Sequence, residues 1–275
     1  MISIYNFFIL LCTFIIYLHI IKHITFPCFE NIYEIDYINN SNLQESCNIN
    51  KPFLFEYKSF DPSLFNNINI DSLMKNKFLN INVHNTNNHK TVVKNFNKAI
   101  SLFKKYKTKY FTINNNALLL NHNIISNFSN FHNNVKPNFI INTNYDIMSG
   151  SIFSTTPLTS HSYNTSFIIV VQGKISVKTI SYNYANEFDF KLNQDNLTYS
   201  SPVDIWNFKN KKNLPIIDFD VFPGYVLFLP SHAIYSIKFT DDNTLLWNIS
   251  YDSPLTYTIN SFNDTYNVIN KLMIE

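Results

Sequence analysis

Two histidines and a lysine in the second half of the chain have the chemistry to hold a ligand. His161 lies in "SIFSTTPLTSHSYN", residues 151–164, where polar side chains enter a strand-like run. His232 follows Pro230 in "LPSHAIYSI", and Lys174 follows Gly173 between two apolar runs. Imidazole is a common metal ligand, so His161 and His232 are a candidate pair if a carboxylate joins them. An inward-pointing Lys174 ammonium would favour a small carboxylate. The plainer reading is that a turn histidine and a lysine at a strand start are solvated. Other chemistries lack their residues. The chain has no arginine and hence no bidentate guanidinium grip. It has no phosphate-cradling Gly-rich loop and no Cys/His zinc spacing.

The elements around these residues fall into two halves. A chain of 275 residues allows one large domain and an appendage. Its 45% hydrophobic and 16% aromatic content supplies a core, and a net charge of +2 argues against a polyanion partner such as nucleic acid. The wealth of Asn, Ile, Phe, Tyr and Lys is the bias of an AT-rich genome, such as that of a large DNA virus or a protist. In such a chain the sequons at Asn39, Asn127, Asn164, Asn196, Asn248 and Asn263 are expected by chance.

The first 25 residues predict a membrane anchor. "ISIYNFFILLCTFIIYLHII", residues 2 to 21, has no charged side chain apart from a histidine that can stay neutral. About 20 apolar residues suffice to cross a bilayer, and Tyr5 and Tyr17 suit its interfaces. The rival reading is a cleaved signal peptide, but the basic leader and small-residue cleavage site are missing. The expectation is a single-pass protein with its C-terminal domain on the non-cytosolic side. Cys28 and Cys47 would be able to pair there. Residues 26–50, polar and Asn-rich, predict a stalk.

The globular domain is expected over 51–275. "KPFLFEY" alternates as a half-buried strand. "DPSLFNNINIDSLMKNK" has helical spacing, with Asp61 and Pro62 as N-cap and N1. "FLNINVH" and "TKYFTI" predict strands. "KTVVKNFNKAISLFKKYK" predicts one amphipathic helix with Val92, Phe96, Ala99, Ile100 and Phe103 on its apolar face. Beyond residue 139 short strands rich in β-branched and aromatic residues follow one another, as in a sandwich or barrel. They end at the helical pattern "NDTYNVINKLMI". The class is α+β and mainly β.

From Lys51 to Tyr251 the order of motifs resembles the cupin-like JmjC family, double-stranded β-helix hydroxylases that use iron and 2-oxoglutarate. "KPFLF" is similar to the family's opening strand, and "NFNKAISLFKK" before "KYFTINNNALL" to its helix and following strand. "IMSGSIFSTTPLTSHSYNTSFIIVVQGKISVKTI" resembles the stretch that carries Thr-Pro-Leu-His-x-Asp. "PGYVLFLPSHAIYSI" resembles the Pro-Gly corner that leads to the distal histidine, and "LLWNISYDSP" the closing strand. The resemblance implies a double-stranded β-helix. It also implies that the positions of the His, carboxylate and distal His ligands are Thr159, His161 and Tyr235. None keeps the family's residue. Lys174 falls where the family's lysine grips 2-oxoglutarate if the count runs from Thr159, but Ile175 does if it runs from Gly173. Asn248 matches the closing strand's Asn.

The expectation is therefore a pseudoenzyme that binds neither metal nor cofactor, is anchored to a membrane and contacts a protein partner. Two alternatives stand beside it. One is an Fe(II)/2-oxoglutarate oxygenase with unorthodox ligands, His161 and His232 among them. The other is a metal-free cupin that binds a carbohydrate or another small molecule.

Overall fold

The structure is a computed structural model that describes residues 4–24, 27–75, 79–86, 90–115, 123–160, 163–193, 198–209, 214–258 and 261. The early strands are β1 (Tyr33–Ile35), β2 (Phe53–Glu56), β3 (Asn80–Asn85), β4 (Thr91–Asn95) and β5 (Tyr110–Thr112). Then come β6 (Asn142–Gly150), β7 (Thr159–Ser160), β8 (Thr165–Gln172), β9 (Ile175–Ile180), β10 (Lys191–Asn193) and β11 (Thr198–Ser200). The last are β12 (Ile216–Val221), β13 (Tyr225–Pro230), β14 (Ile234–Phe239) and β15 (Leu245–Asp252). The helices are α1 (Ile4–Ile24), α2 (Asn40–Asn48), α3 (Pro62–Asn67), α4 (Ile70–Met74), α5 (Phe96–Lys105) and α6 (Ser129–Val135).

Two sheets form. The larger has the order β1-β2-β13-β8-β15-β6-β5-β3-β4, and the smaller β10-β11-β7-β14-β9-β12. From β6 onward the chain shuttles between them. β6, β8, β13 and β15 lie together in the larger sheet, and β7, β9, β12 and β14 together in the smaller. Pairing among these eight is antiparallel. Two tight turns require glycine. Gly173, between β8 and β9, has φ +73°, and a Cβ there would lie 2.7 Å from the Thr244 backbone. Gly224, before β13, has φ +101°.

The larger sheet is covered on both faces, which explains why β8 reads as an unbroken apolar run. Phe167, Ile169 and Val171 pack with Trp247, Phe228 and the helical layer. Ile168 and Val170 point the other way, between the sheets, with Leu227, Val177, Ile237, Phe239 and Leu246. A third cluster, Leu158, Ile180, Phe188, Ile205, Leu214 and Ile234, covers the outer face of the smaller sheet.

Several expectations are corrected. The fold class loses its N-terminal transmembrane helix, since no helix among the described residues is long and apolar enough to cross a membrane. α1 is 21 residues long. Its apolar run between Asn6 and His19, however, is only 12 residues. At 1.5 Å per residue that is about 18 Å, against a hydrocarbon core of about 30 Å. The anchor of residues 1–25, the single-pass placement and the non-cytosolic orientation fall with it. Within residues 26–50, β1 pairs in parallel with β2, while Leu43 and Cys47 of α2 enter the main core, so this stretch belongs to the packed body. Cys28 and Cys47 are both free thiols.

The long amphipathic helix also divides. Thr91–Asn95 pairs with β3 as a strand, and the helix starts only at Phe96, with Asn95 as its cap. β-Branched Thr91, Val92 and Val93 suit a pleated edge better than a helix, and Val92 is half exposed rather than on the helix's buried face. Asn69 likewise splits the earlier helical stretch. Its side chain and that of Ser72 form a capping box that starts α4. The C-terminal pattern at residues 263–274 lies outside the described residues.

Candidate functional site

The space between the sheets has a polar end and an apolar end, set by strand register. Antiparallel partners share a face. Thr159 is the partner of Tyr235 and Tyr235 of Thr179, while Asn248 is the partner of Asp146 and of Ile168. Thr159, Tyr235, Asp146 and Asn248 therefore meet at one end of the interior.

Tyr235 is 8% exposed, and its backbone carbonyl accepts from Thr159 Oγ1 at 3.5 Å. Burial, the Asp146 charge and Tyr163 hold its phenol above the ordinary value, so it stays protonated. Asp146 is buried and accepts from the backbone N–H groups of Asn114 and Asn115, both at 2.7 Å. Asn115 Nδ2 donates to it at 3.1 Å. Burial pushes this carboxyl up to about 6, with the N–H donors pulling the other way. Asp146 thus ties the segment after β5 to the interior. Asn248 Oδ1 accepts from Ser166, whose hydroxyl also meets Ser250 at 2.8 Å. These groups satisfy one another, and Met148, Ile168, Val170 and Leu246 fill the space beyond them.

The other sequence candidates do not join this group. Lys174 sits at the β8–β9 turn with its Nζ 2.6 Å from Asp220 and over the Phe222 ring at 5.0 Å. It faces outward, because Ile175, Val177 and Thr179 take the inward positions of β9. The hydrogen bonds from Lys174 and Ser176 lower the Asp220 pKa. His232 occupies the β13–β14 turn at φ 60° with its ring 5.8 Å from that of Tyr182. That places it at the outer covering of the smaller sheet. His161 lies outside the described residues. Among the described residues no three His, Cys, Asp or Glu side chains are grouped to hold a metal ion.

Sequence reading missed a lateral cleft of about 870 Å³. One wall comes from β3 to β5 with His84 and Phe111, and another from Phe153 to Thr159. The segment Ser200–Asn207 closes it. Thr159 borders both the cleft and the interior. His84 is stacked on Phe111 at 5.2 Å, its Nδ1 lies 2.9 Å from Thr91 Oγ1 and its Nε2 3.2 Å from the Ile113 carbonyl. Burial lowers its pKa, so it lines the cleft as a neutral ring.

Trp206 forms the far wall. Its Nε1 donates to Ser236 at 2.8 Å, and Asp204 accepts from its backbone N–H at 2.9 Å. Lys178 and Lys238 place their ammonium groups 4.8 and 5.4 Å from its ring centroid. The sequence signal for this wall was slight: a lone "DIWN" in a segment without periodicity. Asp146 was missed as well, although it stands as a single acid in an otherwise uncharged strand.

Compared with known proteins, the chain matches no family model and no curated protein.

Proposed function

We propose that this chain is a non-catalytic double-stranded β-helix domain, a degenerate relative of the JmjC-type hydroxylases, that works by binding. Its lateral cleft rather than its interior is the site. The strand order β13-β8-β15-β6 facing β7-β14-β9-β12 supports the fold part of this reading. The observation that carries the functional part is Tyr235. A phenol larger than imidazole stands buried at the distal ligand position, packed among Ala233, Ile237 and Met148, where a working site needs open coordination positions. Lys174, paired with Asp220 outside the barrel, is out of reach of a cosubstrate between the sheets.

Calorimetry of the full chain with Mn(II) as an inert substitute for Fe(II), with and without 2-oxoglutarate, tests this. No stoichiometric heat is expected in either arm. Micromolar metal binding strengthened by 2-oxoglutarate would overturn the proposal and favour the oxygenase reading, with His161 and His232 as ligands. The change Thr159→His, His161→Asp and Tyr235→His restores the family's ligand types. With Lys174 facing away, any metal binding it recovers should be insensitive to 2-oxoglutarate.

A further inference from the structure

The cleft has a chemical preference. Lys238 lines it and holds its ammonium over two aromatic rings, Trp206 at 5.4 Å and Phe153 at 5.8 Å. Among the described residues no carboxylate lies within ion-pair distance of Lys238. The nearest acid of the wall, Asp204, is engaged by its own turn: Oδ1 accepts from the Trp206 N–H and Oδ2 from Asn207 Nδ2 at 2.7 Å. Lys178 brings a second ammonium to the same indole, and its own carboxylate, Asp218, is 3.8 Å away and more than half exposed. Lys191 adds a further positive charge to the lining. Two like charges on one ring repel, and aromatic faces offset that only in part. An anion beside Lys238 would relieve it. Hydroxyl and amide groups of Thr155, Thr156, Ser200 and Asn207 share the lining with apolar Ile113, Leu158, Val203 and Ile205, a mixture that suits the hydroxyls and the carbon face of a sugar ring. Without arginine a planar bidentate grip is absent, so the anion is held as a point charge. The volume lies within the usual range for small-molecule sites, roughly 300–1,000 Å³.

We propose that the cleft binds a sugar-sized, hydroxyl-rich ligand that carries one oxyanion, carboxylate or phosphate, with Lys238 as the anion's partner. This deepens the binding reading above and rests on it. The chain's two tryptophans make the test direct. Trp206 lines the cleft, whereas Trp247 is fully buried in the main core. Full-length protein is titrated with glucuronate, glucose 6-phosphate and neutral glucose while tryptophan fluorescence is followed, with Trp206→Phe as the blank. At least one anion is expected to give a saturable change that the blank lacks, and which of the two does so identifies the oxyanion. Neutral glucose should bind about tenfold or more weaker, as should the anion to Lys238→Gln, the size expected for one charge-assisted hydrogen bond. Lys238→Arg should retain most of the binding. If Lys238→Gln does not fold, raising salt from low to high on the unmodified chain takes its place and should weaken the anion but not glucose.

Equal affinity for glucose and the anions, independent of Lys238 and of salt, would leave the cleft as a binding site and overturn the anion assignment. Silence with all three probes would also overturn it. The metal titration reads the interior and this one the cleft, so each proposal fails on its own evidence.

Discussion

The space between the two sheets and the lateral cleft meet at Thr159 yet are built oppositely. Inside, the polar end is paired within itself. Asp146 accepts from Asn114 and Asn115, Asn248 from Ser166, and apolar side chains fill the remainder. At the cleft, charge is left over: Lys238 shares the Trp206 indole with Lys178, and among the described residues no carboxylate lies within ion-pair distance of Lys238. A folded core needs its buried polar groups satisfied, whereas a binding surface needs some capacity unspent. On the proposed reading, the first region serves stability and the second recognition.

The largest test removes bulk from the interior. Phe239 is fully buried between the sheets, so Phe239→Ala should lower unfolding free energy by about 3–5 kcal/mol in denaturant titration. A loss under about 1 kcal/mol would mean that the interior is loosely filled, and the contrast with the cleft would break.

Next comes Asp146. Asp146→Ala strips the partner from the N–H groups of Asn114 and Asn115, and leaving them unpaired should cost about 3 kcal/mol at neutral pH. Acid sharpens the point. The folded-state value of about 6 lies above the 3.8 of an ordinary aspartate. The folded chain therefore takes up this proton first, and charged Asp146 disfavours folding above about pH 6. As pH falls from 6 towards 4, the protein should gain stability relative to Asp146→Asn, on the order of 1–2 kcal/mol. A relative loss over the same window would show that the N–H bonds to the carboxylate outweigh burial.

Smaller effects separate the two regions further. Tyr235→Phe removes a hydroxyl from the polar end and keeps the ring, so it should cost about 1 kcal/mol. Lys174→Ala breaks only a solvent-exposed pair with Asp220. It should change stability by less than about 0.5 kcal/mol and leave anion binding in the cleft untouched. Loss of anion binding in Lys174→Ala would move the site from Lys238 to the β8–β9 turn.

Much of the fold was legible because strand and helix-cap signals are local. The apolar run 167–171 lies in β8 and 226–229 in its neighbour β13, paired from Val226–Ile169 onward. Asp61 caps the helix begun by Pro62. The expected anchor fails because Asn6 and His19 bound its uninterrupted apolar run. Val92 misled because Val92, Phe96 and Phe103 fit a helical period on paper, and only pairing with β3 makes residues 91–95 a strand.

What the sequence determined by itself is what depends on neighbours along the chain: the alternating strands, the Pro and Gly corners and the caps. Only the tertiary structure decided which side chains face each other. Residue 238 is a lysine in any reading. That it stands over Trp206, 32 positions earlier (238 − 206), with no carboxylate in ion-pair distance among the described residues, is settled by the packing of the Ser200–Asn207 segment against β14. Lys174 is the immediate neighbour of Ile175, a core position, and still points to solvent, because a strand turns successive side chains to opposite faces. One position of register separates an inward-facing side chain from a surface ion pair. Long-range contact fixed that register, since the burial of Ile175, Val177 and Thr179 on one face outweighs what any single polar side chain would prefer.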